Sequence, residues 1–119
     1  MKIVITEDSV IVNRSFDVEF ASCPKDTEVK VAVYDPNAAD NSAFFAEIKD
    51  AEIIINCYVN FNRKLIDGLE KCKVISFEST GYNEVDLEYA REKGIAVIFI
   101  LDYCTQETAE NAFTLMLCL

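Results

Sequence analysis

Three small residues in a row, Ser79-Thr80-Gly81, stand between an apolar run and a stretch with the marks of a helix, and they are the best placed to do chemistry. Glycine lets the backbone turn and lets a ligand approach it closely, and consecutive free N–H groups near a helix start form a cradle for an anion. A small carboxylate or a phosphate suits such a cradle. A plain strand-to-helix turn that binds nothing has the same composition, so the loop alone leaves both readings open.

The elements that must position this loop are legible on either side. Lys73-Val-Ile-Ser76 begins a short apolar run of the kind that makes a buried strand, Asp86 is placed to cap a helix, Gly94 to end it, and Ala96-Val-Ile-Phe-Ile100 reads as the next strand. The whole is a strand, loop, helix, strand unit.

Composition narrows the functions available. The chain has 119 residues, 51% of them hydrophobic, which is enough for one domain with its own core. No apolar run nears the ~20 residues of a membrane span. The start, Met1-Lys-Ile-Val-Ile-Thr6, turns acidic at Glu7-Asp8 and lacks the apolar core of a signal peptide, so a cytoplasmic protein is expected. Eleven basic against 21 acidic residues give a formal charge of −10, which repels nucleic acid and anionic membranes. The chain contains no histidine, which removes the commonest general acid/base and the commonest metal ligand. Five cysteines without C-x-x-C spacing read as reduced, buried small hydrophobes.

In order, Lys2-Ile-Val-Ile-Thr6 opens as a strand, and residues 7–25 stay undecided between an edge strand and a turn of helix at Ser15-Phe-Asp-Val-Glu-Phe20. Val29-Lys-Val-Ala-Val-Tyr34 alternates as a second strand. A short helix with Ala43, Phe44 and Ile48 on its face follows, capped by Asp40 or Ser42. Three isoleucines in Ala51-Glu-Ile-Ile-Ile-Asn56 imply a strand covered on both faces. Asn62 caps a helix over 63–70 that buries Leu65, Ile66 and Leu69, and Thr105 caps the last one. In that last helix Ala109, Ala112, Phe113, Met116 and Leu117 form one apolar face, still running at Leu119 with no stop signal. The unfinished pattern implies a chain cut short or a helix that packs against something outside these residues.

Strands alternating with helices through short connections predict an α/β fold: a flavodoxin-like, five-stranded parallel sheet in order 2-1-3-4-5, with helices on both faces, ending in an unfinished apolar helix. Ligands of such sheets sit outside the carboxyl ends of the strands. Thr6 to Asp8, Asn56 to Tyr58, Ser79 to Gly81 and Leu101 to Tyr103 fall there.

From about Ala51 the chain resembles the N-terminal part of the substrate-binding domain of the D-isomer-specific 2-hydroxyacid dehydrogenases. The carriers are Ala51-Glu-Ile-Ile-Ile-Asn56, Lys73-Val-Ile-Ser76, Ser79-Thr-Gly-Tyr82, Val85-Asp-Leu-Glu88, Ala90 with Lys93-Gly-Ile95, and Asp102-Tyr-Cys-Thr-Gln-Glu107 with Ala109-Glu110. The resemblance implies an oxidoreductase that interconverts a 2-hydroxy and a 2-oxo acid by hydride transfer with NAD. It implies a carboxylate held by backbone N–H groups at Thr80 and Gly81, with Ser79 beside them, Tyr103 as a pocket wall and Tyr58 on the neighbouring loop. It also divides the chain into a substrate-binding domain over residues 1–104 and the start of an inter-domain helix over 105–119, with the NAD-binding domain absent. The pattern departs at Ser79, Asn83, Glu84, Phe99 and Leu101, and at Phe77 and Glu78; a Glu78 carboxylate that faces the loop raises the cost of binding an anion there.

The three glycines, Gly68, Gly81 and Gly94, do not form the G-x-G-x-x-G turn that NAD requires, and the family's catalytic Arg, Glu and His would lie beyond the last helix. These residues alone are therefore expected to be inactive, with no catalytic, cofactor or metal site of their own. The alternative is a free-standing flavodoxin-like binding or regulatory module. Glu7-Asp8 is similar to the acidic, Mg²⁺-binding corner of receiver domains, although the third strand ends in Asn56-Cys57 where a receiver needs Asp. In either case Phe113, Met116, Leu117 and Leu119 form a stripe through which two copies would pair as a homodimer.

Overall fold

In the computed structural model, which describes residues 1–10 and 14–118, five strands and five helices alternate along the chain. The strands are β1 (Lys2–Asp8), β2 (Glu28–Tyr34), β3 (Ile53–Asn56), β4 (Val74–Phe77) and β5 (Ala96–Ile98). All neighbours are parallel and the order is β2-β1-β3-β4-β5. This is the flavodoxin-like sheet that the sequence predicts. Its helices are α1 (Asp17–Ser22), α2 (Ser42–Ile48), α3 (Arg63–Asp67), α4 (Leu87–Glu92) and α5 (Thr105–Leu117).

The pleat divides the sheet into two unequal faces. Val4, Ile54 and Ile75 are register partners and fully buried, and they pack with Phe44 and Ile48 of α2, Leu65 and Ile66 of α3 and Ala90 of α4. On the opposite face Ile3 and Ile5 are buried, but Ile53 and Ile55 beside them are only half-buried, as are Val74 and Ser76. The expectation that both faces of β3 are covered is thus met on one face only. Three isoleucines report apolar surroundings in general, not how complete the cover is.

Residues 7–25, undecided from the sequence, divide cleanly where they are described. Glu7 and Asp8 continue β1, and Ser15-Phe-Asp-Val-Glu-Phe20 contributes to helix α1, not to an edge strand. Asp40 accepts from the N–H of Ser42, while the N-cap position itself is Asn41, whose side chain is turned back to the Asp35 backbone. Asn62 and Asp86 cap as predicted, accepting from the N–H groups of Leu65 and Tyr89, and Gly94 follows α4 with φ +74. Helix α3 ends at Asp67, earlier than the predicted Glu70, and Leu69 packs half-buried against the core. Strand β5 also stops early, at Ile98, leaving only the bond from Ile100 N–H to the Ser79 carbonyl beyond it.

The last helix departs most from expectation at its start. Its N-cap is Cys104, in a left-handed conformation with φ 50, and not Thr105. The Thr105 hydroxyl instead donates to Asp102 Oδ1 at 2.7 Å, outside the helix. The cysteines are free, but none is fully buried: Cys23, Cys57 and Cys72 are half-buried, and Cys104 and Cys118 are exposed. Of these, Cys72 packs against the core from its edge.

Helix α5 buries none of its residues. With it projecting, the molecule measures 50 × 32 × 30 Å and has a radius of gyration of 16.1 Å; a compact chain of this length has about 13.5 Å. Phe113, Met116 and Leu117 are all more than half exposed. Leu119, the fourth member of the predicted stripe, lies outside the described residues.

One stability prediction follows from the cap on α3, a helix too short to persist by propensity alone. Asn62→Ala removes the acceptor that Leu65 N–H uses at 3.2 Å and is expected to lower unfolding free energy by about 1 kcal/mol. Asn62→Asp, an equally good cap, should be near neutral. Urea titration of the two variants checks this, and equal losses would show that the cap bond carries no weight.

Candidate functional site

Because every strand runs the same way, the carboxyl ends of β1, β3, β4 and β5 open on one edge, and that edge gathers the predicted residues. The backbone of the 79–81 loop leaves β4 there. Ser79 is half-buried and its hydroxyl donates to the Gly81 carbonyl at 2.9 Å, closing a tight turn. Thr80 and Gly81 are exposed, and no acceptor among the described residues takes their N–H groups.

Two features of the predicted cradle differ. Gly81 does not have positive φ, and a Cβ added there meets nothing within 4 Å, so the turn itself does not demand glycine. What glycine leaves is open space over two unclaimed donors. Nor does a helix start lie at the loop: residues 82–86 intervene before α4, whose first turn is served by Asp86. What the loop offers an anion is its own N–H groups and not a helix dipole.

Tyr58 and Tyr103 stand on the neighbouring strand-end loops, each 53% exposed. Tyr58 has φ 92, a conformation that a bulky residue adopts only when its surroundings impose it. The imposing bonds are visible on either side. Asn56 is fully buried, its amide donates to the Val59 carbonyl at 2.9 Å, and its oxygen accepts from the Thr6 hydroxyl at 2.8 Å. The Tyr103 phenol is held above its usual range by neighbouring Cys104 first, then by burial, Tyr58 and Cys57. On the segments that follow β4 and β5, the rings of Tyr82 and Phe99 pack against each other at 4.8 Å.

Beneath the loop lies a charged row that sequence reasoning missed. Glu7, Cys57 and Glu78 continue the β1, β3 and β4 register on the less covered face, with their ligand atoms within 4.8 Å of one another. Arg14 spans them. Its Nε and Nη2 donate to Glu7 Oε1 at 2.9 and 2.8 Å, Nη2 also to Glu78 Oε2, and Nη1 to Glu19 Oε1 at 2.6 Å. The Glu7 side chain is 1% exposed, so this partner is what makes its burial tolerable. Burial, then Glu7 and Glu78, pushes the Cys57 thiol up to about 12, so it is neither a ready nucleophile nor a ready thiolate ligand. The acidity of Glu7-Asp8 was the signal in the sequence; its partner, seven residues on, was not. Glu7 is buried against a guanidinium and Asp8 caps the Val10 N–H at 2.9 Å, an arrangement unlike an open acidic metal corner.

A shallow depression of about 490 Å³ lies further out, lined by Asn60, Arg63, Lys64, Asn83 and Asp86 among others. It includes none of the predicted site residues. The end of β1 leads into a buried carboxylate, Glu7, with no glycine beside it.

The family model of the D-isomer specific 2-hydroxyacid dehydrogenase catalytic domain matches residues 3–114. The chain belongs to this family. A hydroxypyruvate reductase of Blautia hydrogenotrophica is 37% identical over 89 residues, covering 71% of this chain and 27% of that protein. A D-3-phosphoglycerate dehydrogenase of Methanocaldococcus jannaschii is 36% identical over 72 residues, 60% of this chain and 14% of its own length. Among solved structures, the D-lactate dehydrogenase of Aquifex aeolicus, determined with NAD and lactic acid, superposes with a TM-score of 0.77 at 26% identity over 98% of this chain and 33% of that one. The chain thus spans about a third or less of the length of these relatives.

Proposed function

We propose that this chain is the substrate-binding part of an NAD-dependent 2-hydroxyacid oxidoreductase, which interconverts a small 2-hydroxy acid and its 2-oxo acid by hydride transfer. The carrying observation is the pair of exposed, unclaimed N–H groups at Thr80 and Gly81 on the carboxyl edge of the sheet. They take the substrate carboxylate, Ser79 shapes the turn, and Tyr58 and Tyr103 wall the site. Residues 1–104 form the substrate-binding domain, and 105–119 begin the helix that leads to an NAD-binding domain outside this chain. That domain supplies the cofactor and the catalytic groups, so these residues alone do not transfer hydride. A cytoplasmic location belongs to the same reading.

The test is an amide-resolved NMR titration of the labelled chain with pyruvate. Millimolar pyruvate should move the Thr80 and Gly81 signals first, and NADH should move nothing. Gly81→Ala separates binding from folding: with free space for the methyl group, stability should be unchanged or raised by up to about 1 kcal/mol, while pyruvate binding weakens severalfold. Pyruvate shifts centred elsewhere would sink the assignment.

A second element of the proposal concerns α5. Its exposed Phe113, Met116 and Leu117 favour self-association of the isolated chain through this helix. Light scattering should show dimer growing with concentration, and Phe113→Lys with Met116→Lys should return the chain to monomer. A concentration-independent monomer would remove the pairing.

A further inference from the structure

We propose that Arg14 is a positioning residue of the substrate site: it draws the Glu78 carboxylate away from the adjoining 79–81 loop and cancels its charge, so that the loop can accept an anion. The inference rests on the reading of that loop as the carboxylate site.

The geometry gives Arg14 little freedom. Two of its N–H groups are fixed on one oxygen of Glu7, whose side chain is 1% exposed at the end of β1 and has no room to turn away. A third group is fixed on Glu19 of α1 at 2.6 Å. With the guanidinium plane set by those two anchors and stacked 4.7 Å from the Phe16 ring, its Nη2 faces β4 and meets Glu78 Oε2. A planar fork holds a carboxylate in one place, which a flexible ammonium does not.

Glu78 immediately precedes Ser79, and its own N–H is tied to the Asn56 carbonyl at 3.2 Å, so its backbone stays at the site entrance. Only its side chain can move. Burial pushes its carboxyl above the usual range against the pull of Arg14, yet it remains an acid next to a loop that must welcome another. Without Arg14, Glu7, Glu19 and Glu78 have no counter-charge among the described residues, and Glu78 is free to turn toward the N–H groups of Thr80 and Gly81. It would then compete with the substrate carboxylate both by charge and by occupying the donors.

This predicts a pattern that a purely structural role does not. In pyruvate titrations read at the Thr80 and Gly81 amides, Arg14→Gln should weaken binding roughly tenfold, the scale of one uncompensated charge near an anion. Glu78→Gln alone should change binding less than about twofold, because in the native chain its charge is already countered. The double variant should recover binding to within about threefold of the native chain, although its urea midpoint stays low because Glu7 is still buried without a partner. Arg14→Lys keeps a charge on Glu7 without the fork to Glu78; it should bind several times more weakly than the native chain, and Glu78→Gln should rescue it too. That pair carries the test should Arg14→Gln unfold. Binding that tracks stability through the series, with no recovery in either double variant, overturns the role of Arg14. A native chain whose Thr80 and Gly81 amides ignore pyruvate overturns the site reading and this inference together, whereas native binding without rescue overturns only the latter.

Discussion

Asn56→Ala is expected to lower the unfolding free energy by about 3 kcal/mol or more, because each buried polar group it leaves unpaired costs about 1–3 kcal/mol before any cavity is counted. Asn56 and Thr6 are both fully buried, and among the described residues they are the buried uncharged polar side chains. Alanine would strand the Thr6 hydroxyl, now 2.8 Å from Asn56 Oδ1, and the Val59 carbonyl, now 2.9 Å from Nδ2. Thr6 keeps a second, longer approach to the Ile55 carbonyl at 3.4 Å, so the Val59 carbonyl carries the larger share of the loss. Thr6→Val, which leaves only one amide oxygen short of a donor, should cost about 1–2 kcal/mol. The expected fall for Asn56→Ala is roughly 2 M in the urea midpoint, and a loss below that of Thr6→Val would sink the argument.

The consequence reaches the site. Residues 57–59 make the turn in which Tyr58 holds φ 92, a conformation that costs a non-glycine residue about 1–2 kcal/mol. Asn56 closes that turn by bonding across it, so its loss should release Tyr58 as well as destabilise the sheet. Hydrogen exchange at residues 57–59 should rise further than the global loss explains.

Which parts were legible follows from how far each determinant reaches along the chain. The caps Asn62 and Asp86 act on N–H groups three residues away, and a local pattern records such contacts faithfully. Strand order was legible because alternation and short connections leave few parallel-sheet topologies. Arg14 was not: its bond to Glu78 spans 64 residues and exists only because the sheet sets the ends of β1 and β4 beside β3. The start of α5 failed for a smaller reason. A threonine at a helix boundary normally caps, but Asp102 three residues earlier offers its hydroxyl an acceptor, and the cap position shifts back to Cys104. Gly81 misled in the opposite direction, since glycine suggested a required turn where the backbone needs none.

Phe61→Ala should be comparably damaging, with an expected loss of about 3–5 kcal/mol, the range for removing a buried aromatic ring from a core that relaxes only in part. Phe61 is fully buried and belongs to the cluster formed with Val59, Leu65, Ile66 and Val85. Its backbone matters as much as its ring. The Phe61 N–H donates to the Glu84 carbonyl at 2.6 Å and its carbonyl accepts from Asp86 N–H at 3.2 Å, an isolated parallel bridge that pins the far end of the segment following the 79–81 loop. The near end is held by β4 and by the bond from Ile100 to Ser79. Between these two anchors the loop is held by the Ser79 hydroxyl on the Gly81 carbonyl and by Tyr82 against Phe99, while a Cβ at Gly81 would meet only open space. Loss of the ring should therefore loosen the bridge and blur the cradle: amide exchange at Phe61 and Asp86 should accelerate, and pyruvate should bind more weakly at Thr80 and Gly81. Phe61→Leu refills most of the volume and should cost less than half as much while keeping both hydrogen bonds. If Phe61→Ala lost stability but left exchange at the bridge and pyruvate binding unchanged, the ring would serve the core alone, and the loop would owe its shape to β4.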